Sequence, residues 1–226
     1  MKTARFALLC AALLPLAAAA EGKQQAAKTS ASPRSAAELM DVVMWNREPI
    51  GGPFRLTDHH GKTRRDSDFR GKLMLVYFGF TFCPDICPTD LQQISLVMDK
   101  LGEAAKSVAP LFITLDPERD TQKLLAQYVP AFNPHITGLT GDAKAIRAAA
   151  DAYKVYYAKV PTPGASRYTI DHSSFIYLIG QDGKYLGYFP PSTPAERMLA
   201  VLRRHLERQQ EVQMPGAATV RGNASK

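Results

Sequence analysis

Phe78-Gly79-Phe80-Thr81-Phe82-Cys83-Pro84-Asp85-Ile86-Cys87-Pro88-Thr89-Asp90-Leu91 sets two cysteines four residues apart, where a continuously apolar segment gives way to a helix-like one. A thiolate is both the nucleophile of disulfide exchange and the preferred ligand of soft metals, so the pair supports two chemistries. If the turn between them is helical, their Cβ atoms lie about 5 to 6 Å apart and both sulfurs can reach one metal. Slight tightening gives a disulfide, in which Cβ atoms lie roughly 3.5 to 4.5 Å apart. Cys87, at the cap of a helix expected to begin with Pro88, is expected to have its thiolate favoured by the helix dipole. A purely structural disulfide is the weaker reading, because closing so small a loop restricts the unfolded chain little.

Working outward, Leu73 to Phe80 is an unbroken run rich in branched and aromatic residues, as in a strand buried on both faces. Downstream, Leu91, Ile94, Val97, Met98 and Leu101 recur at helical spacing. A second strand follows from Ala109 to Asp116, then a helix through Leu124, Leu125 and Tyr128 with Asp120 as its expected cap. Ile136 to Leu139 reads as a short strand, and Asp142 caps a helix from Ile146 to Tyr153. Val155 to Val160 is strand-like, and Pro161 to Gly164 opens an exposed loop. Ser173 to Ile179, the turn Gly180-Gln-Asp-Gly183 and Lys184 to Phe189 form a hairpin, and the apolar positions from Pro194 to Glu207 mark a terminal helix. Upstream, Phe54 and Leu56 alternate inward before a turn at His59 to Lys62. Strand and helix alternate, which implies an α/β domain with a parallel core.

The 226 residues, 46% hydrophobic and 22% charged, suit one domain with tails. A positive start, an apolar run from Phe6 to Leu16 and small residues from Ala17 to Ala20 read as a secretory signal peptide over 1–20, too short for a spanning helix. Residues 21–44 read as a flexible linker, 45–208 as the domain and 209–226 as a polar tail. This places the protein in the periplasm, with attachment to the inner membrane if the N-terminus is not cleaved. Cys10 leaves with the signal, so Cys83 and Cys87 are the mature cysteines, in an oxidising compartment. Losing Lys2 and Arg5 as well lowers the formal charge from +7 to +5. The basic residues are scattered without an aromatic-rich cluster, which argues against nucleic acid as a partner.

Four stretches together resemble the Sco/SenC family of copper-binding assembly factors for cytochrome c oxidase: Gly51-Gly-Pro-Phe-Arg-Leu-Thr-Asp58 with Gly61-Lys62, Tyr77 to Pro88, Asp116-Pro-Glu-Arg-Asp-Thr121, and Asp171-His172-Ser173. The resemblance implies a thioredoxin-like fold with an N-terminal β-hairpin extension, a strand-helix insertion, and a C-terminal β-hairpin plus helix. It places Asp171-His172-Ser173 where thioredoxins carry a cis-proline facing the cysteines. His172 is therefore the expected third donor to a metal held by Cys83 and Cys87, whereas His59, His60, His135 and His205 are expected to be solvated. Two thiolates and an imidazole suit three-coordinate Cu(I), and Cu(II) if a fourth donor joins. Zinc also binds such donors, so the residues leave the metal open and the resemblance implies copper. Asp171 can orient the site or cap its turn, and Asp85 can donate an oxygen or face water. The turn at Asp116 to Arg119 lies near the same sheet edge and is read as an Arg-carboxylate pair, with a role at the site or toward a partner as the alternative.

By the same resemblance the protein is a metallochaperone that delivers copper to cytochrome c oxidase subunit II. Its other partners are an upstream copper donor or thiol reductant, with membrane contact only through the partner or an uncleaved N-terminus. The alternative is a thiol-disulfide oxidoreductase with Cys83 and Cys87 as its catalytic residues and Cys83 attacking, which reduces the acceptor's copper site or another periplasmic partner and needs no histidine.

Overall fold

The computed structural model describes residues 34–45, 48–161 and 168–213. The unbroken apolar run forms β3 (Leu73–Gly79), every residue of which is buried. It pairs in parallel with the equally buried β4 (Val108–Thr114). On its other side it pairs antiparallel with β8 (Ile176–Ile179), which forms a hairpin with β9 (Tyr185–Phe189). A strand covered on both faces excludes polar side chains, so these runs do not alternate. Beyond β4 come β5 (Thr137–Thr140), parallel to it, and the antiparallel hairpin β1 (Arg55–Asp58) and β2 (Thr63–Arg65). The seven-stranded order is β2-β1-β5-β4-β3-β8-β9. This is the thioredoxin-like arrangement expected, with the hairpin extension at one edge.

Helix α2 (Ile86–Leu101) follows β3 and packs on α5 (Ala195–Gln213). Its buried positions Leu91, Ile94, Val97, Met98 and Leu101 are the periodic apolar residues of the sequence. Two further helices, α3 (Gln122–Tyr128) and α4 (Ala143–Ala152), flank β5 in the chain. Asp142 caps α4 by accepting from the Ala145 amide, as expected. The cap of α3 is Thr121, which accepts from the Leu124 amide. Asp120 is turned inward to other partners.

Residues 157–161 (β6) and 168–172 (β7) form a separate two-stranded ribbon, with no ladder to the main sheet. It carries His172 at its end.

Two element bounds differ from expectation. Helix α1 (Ala36–Trp45) occupies part of the expected linker, because Val42 and Val43 bury against the domain. At the other end, α5 continues to Gln213, past the expected start of the tail. The signal peptide, residues 21–33 of the linker, residues 162–167 of the expected loop and residues 214–226 lie outside the described residues. Among the described residues no helix is long and apolar enough to cross a membrane.

His59 is buried rather than solvated. Its backbone N–H donates to the Gly138 carbonyl at 2.9 Å, and its Nδ1 accepts the Gly138 amide at 3.0 Å, tying the hairpin to β5. Only neutral imidazole can accept there. Burial, reinforced by the neighbouring His60, holds its pKa below the ordinary 6.5. Below about pH 6.5 the unfolded chain then binds a proton that the folded one resists. Unfolding free energy should therefore fall as pH drops from 7 through 5, and His59→Gln should flatten part of that dependence, with the lowered Cys83 and His205 contributing in the same sense. Urea melts of both proteins at the two pH values check this.

Candidate metal and thiol site

The turn after β3 carries Cys83 half-buried at its surface, and the first turn of α2 carries Cys87 fully buried beneath it. His172 reaches over from the end of β7, with Nε2 3.5 Å from Cys87 Sγ. The two sulfurs and one His172 ring nitrogen all lie within 4.8 Å of one another, the only such cluster among the described residues. The structure thus brings together the two cysteines and the histidine singled out in the sequence. Asp85 and Asp171 are exposed, and neither carboxylate joins the cluster.

The histidine is oriented by its neighbours. Its Nδ1 lies 3.1 Å from the Ser173 carbonyl oxygen. A carbonyl can only accept, so Nδ1 carries the proton and neutral His172 presents the lone pair of Nε2 to the sulfurs. The Phe80 ring, buried, meets the imidazole edge-on at 5.8 Å. Phe82, by contrast, is exposed.

The cysteines are unequal, and in the opposite sense to the sequence expectation. The Cys83 sulfur lies at the mouth of α2 and accepts the Cys87 backbone N–H at 3.4 Å. Its pKa is lowered to about 4, first by hydrogen bonding from the Cys87 thiol and further by the backbone N–H groups of Asp85 and Cys87. Cys87 donates to that thiolate and is buried, and both effects push its pKa up. The helix terminus therefore favours the earlier cysteine. Side chains on a helix lean toward its N-terminus but remain beside the cylinder, whereas a residue in the preceding turn can sit over the open N–H groups.

Behind the pair lie groups that periodicity did not single out. A Cβ at Gly79 would stand 2.9 Å from both Cys87 Sγ and Phe112 Cε2, so only glycine leaves room for the buried sulfur. The Tyr77 hydroxyl faces Cys87 and Asp90 without closing a hydrogen bond of ordinary geometry to either. Asp90 is buried, accepts the Ser192 amide at 2.8 Å through Oδ1, and leaves Oδ2 unpartnered. Burial raises its pKa. The expected Arg-carboxylate turn is present, with Arg119 Nε bonded to Asp116 Oδ2. Of the other histidines, His60 and His135 are exposed and His205 half-buried.

A family model described as SCO1/SenC matches residues 43–207. The mitochondrial SCO1 homolog of Homo sapiens is 41% identical over 159 residues, covering 70% of this chain and 53% of that protein. The chain spans about half the length of the mitochondrial relatives it matches. The structure of Bradyrhizobium japonicum ScoI with copper bound is 44% identical with a TM-score of 0.65, and covers 69% of this chain and 99% of that one. BsSco, a member of the Sco family of cytochrome c oxidase assembly proteins with a disulfide switch, is 25% identical with a TM-score of 0.54, covering 70% and 95%.

Two outcomes follow from the geometry. In the reduced protein at pH 6, iodoacetamide should modify Cys83 and spare Cys87, and Cys87→Ala should move the midpoint of that reaction well above pH 4. Peptide mass spectrometry reads both, and equal labelling of the two sulfurs would contradict the asymmetry. Gly79→Ala should destabilise the fold by about 1–3 kcal/mol through overpacking, measured by chemical denaturation.

Proposed function

The chain belongs to the SCO1/SenC family, and from that starting point we propose that it binds copper through Cys83, Cys87 and His172 and supplies it during assembly of cytochrome c oxidase. The convergence of two sulfurs and Nε2 within 4.8 Å carries this reading. Two thiolates and one imidazole are the donor set that soft Cu(I) prefers, and with a further donor they hold Cu(II). The copper-bound ScoI relative and the oxidase-assembly role of BsSco support it. The acceptor we propose is the copper site of subunit II, reached from the periplasmic side.

Each residue has a separate part. Cys83, half-exposed and already ionised at neutral pH, is the first donor to meet incoming copper. Cys87 must lose its proton as it ligates, so loading releases a proton and weakens as pH falls. His172 keeps its lone pair directed inward through its Nδ1 bond to Ser173. Soft ligands that exchange one at a time let the cargo pass to an acceptor without a bare-ion intermediate.

The inequality of the sulfurs favours a second reading, thiol-disulfide exchange. The Cys83 thiolate attacks a partner disulfide and displaces one partner thiolate. Cys87, after losing its proton, attacks the mixed disulfide at Cys83 and displaces the other. Two electrons move to the partner, which leaves as a dithiol, while Cys83 and Cys87 become a disulfide. This route does not use His172.

Anaerobic titration with Cu(I) and Cu(II), read by absorption and spin resonance, separates the readings. Wild type should show sulfur-to-copper charge transfer and nitrogen coupling. His172→Ala should lose the nitrogen coupling and bind copper at least about tenfold more weakly while still forming its disulfide. Unchanged affinity in that variant would refute the three-donor site, and retained oxidase assembly would favour the exchange reading.

A further inference from the structure

The site is divided between two pieces of chain that share no β-ladder. Cys83 and Cys87 belong to the turn and helix after β3, in the main sheet, whereas His172 ends the separate β6–β7 ribbon. Something must set their relative position, because donors a fraction of an ångström out of place bind poorly.

Two consecutive residues of the turn after β4 reach both halves. Asp120 is fully buried; its Oδ2 accepts the Thr81 amide at 2.9 Å and the Thr114 hydroxyl at 2.6 Å, and its Oδ1 accepts the Thr81 hydroxyl at 2.5 Å. Thr81 and Phe82 immediately precede Cys83. Arg119 places its guanidinium carbon 4.9 Å from the Phe82 ring centroid and 3.8 Å from that of Tyr168, which starts the histidine strand. Its Nη1 also donates to the Tyr168 carbonyl at 2.9 Å, and the Tyr168 hydroxyl donates to Asp116 at 2.8 Å.

We propose that Arg119 is a positioning residue that registers the histidine strand against the cysteine loop, with Asp120 anchoring the loop side. A planar guanidinium stacks on a ring while its edge donates, which an ammonium cannot reproduce. Its side chain is only 23% exposed, so these contacts are screened less than a surface pair. The ion pair from this turn to the ribbon, Lys159 with Glu118 at 2.7 Å, also meets the histidine strand, with Lys159 4.5 Å from the Tyr168 ring centroid and the Tyr168 hydroxyl 3.5 Å from Glu118, but it is solvent-exposed. Phe80 sets the face of the imidazole; Arg119 sets where its strand lies.

The inference rests on the three-donor reading, and two measurements keep the two separable. In the reduced, metal-free protein, Arg119→Met should speed amide exchange in residues 81–87 and 168–173 while the core strands 73–79 and 108–114 keep their protection. Asp120→Asn should loosen 81–87 alone, and Arg119→Lys should not rescue the histidine strand. In Cu(I) competition against a chromogenic chelator, Arg119→Met should weaken binding about tenfold, the lower end for residues that support metal ligands. In the His172→Ala background the same change should cost clearly less, the non-additivity of a residue acting in part through another. Faster exchange across the core strands, unchanged exchange in both segments, or an equal tenfold loss in both backgrounds would overturn the proposal. If wild type binds no copper through sulfur and nitrogen, the functional reading falls and the exchange measurement alone decides the positioning role.

Discussion

A negatively charged sulfur in a half-buried position is the constraint on which this site depends. Such a charge is costly unless donors surround it. Here they are the N–H groups at the start of α2 and the Cys87 thiol. Both depend on a strand that ends where it does and a helix that starts seven residues later. The thiolate takes the place that a serine or aspartate side chain occupies at an ordinary helix start, so the reactive group is also part of the fold's own capping.

Room for the second sulfur comes from an omission. Gly79, at the end of β3, leaves the space that a Cβ would take from Cys87 and Phe112. Cys87 is buried there, and its hydrogen bond to the Cys83 thiolate, together with that burial, separates its proton affinity from that of Cys83. Two identical residues four apart therefore differ in chemistry because one faces a helix mouth and the other a core.

The long apolar strands, the periodic face of α2, the C-terminal hairpin and the Asp142 cap were legible because each depends on neighbours in sequence. So was the cysteine pair. His172 became legible only through family resemblance, since nothing in its own surroundings marks it out from the other histidines. The roles of His59 and Asp120 were not readable for the same reason. A histidine in a turn looks solvated until Gly138, far along the chain, proves to be its partner, and an aspartate before a helix looks like a cap until Thr81 claims its carboxylate. The direction of the cysteine asymmetry failed because the helix starts at Ile86, ahead of Pro88. That shift moves Cys87 into the helix and puts Cys83 over its end.

The 85-residue separation of Cys87 from His172 gives the site a built-in test of nativeness. A disulfide between residues four apart can close in a chain that has not folded, since its ends are never far from each other. Bringing the imidazole to the sulfurs requires the intervening strands and helices to be in place, and the entropy of closing so long a segment is offset only by native packing. The two-sulfur state is thus available to folded and unfolded chains alike. The meeting of all three side chains belongs to the folded chain alone.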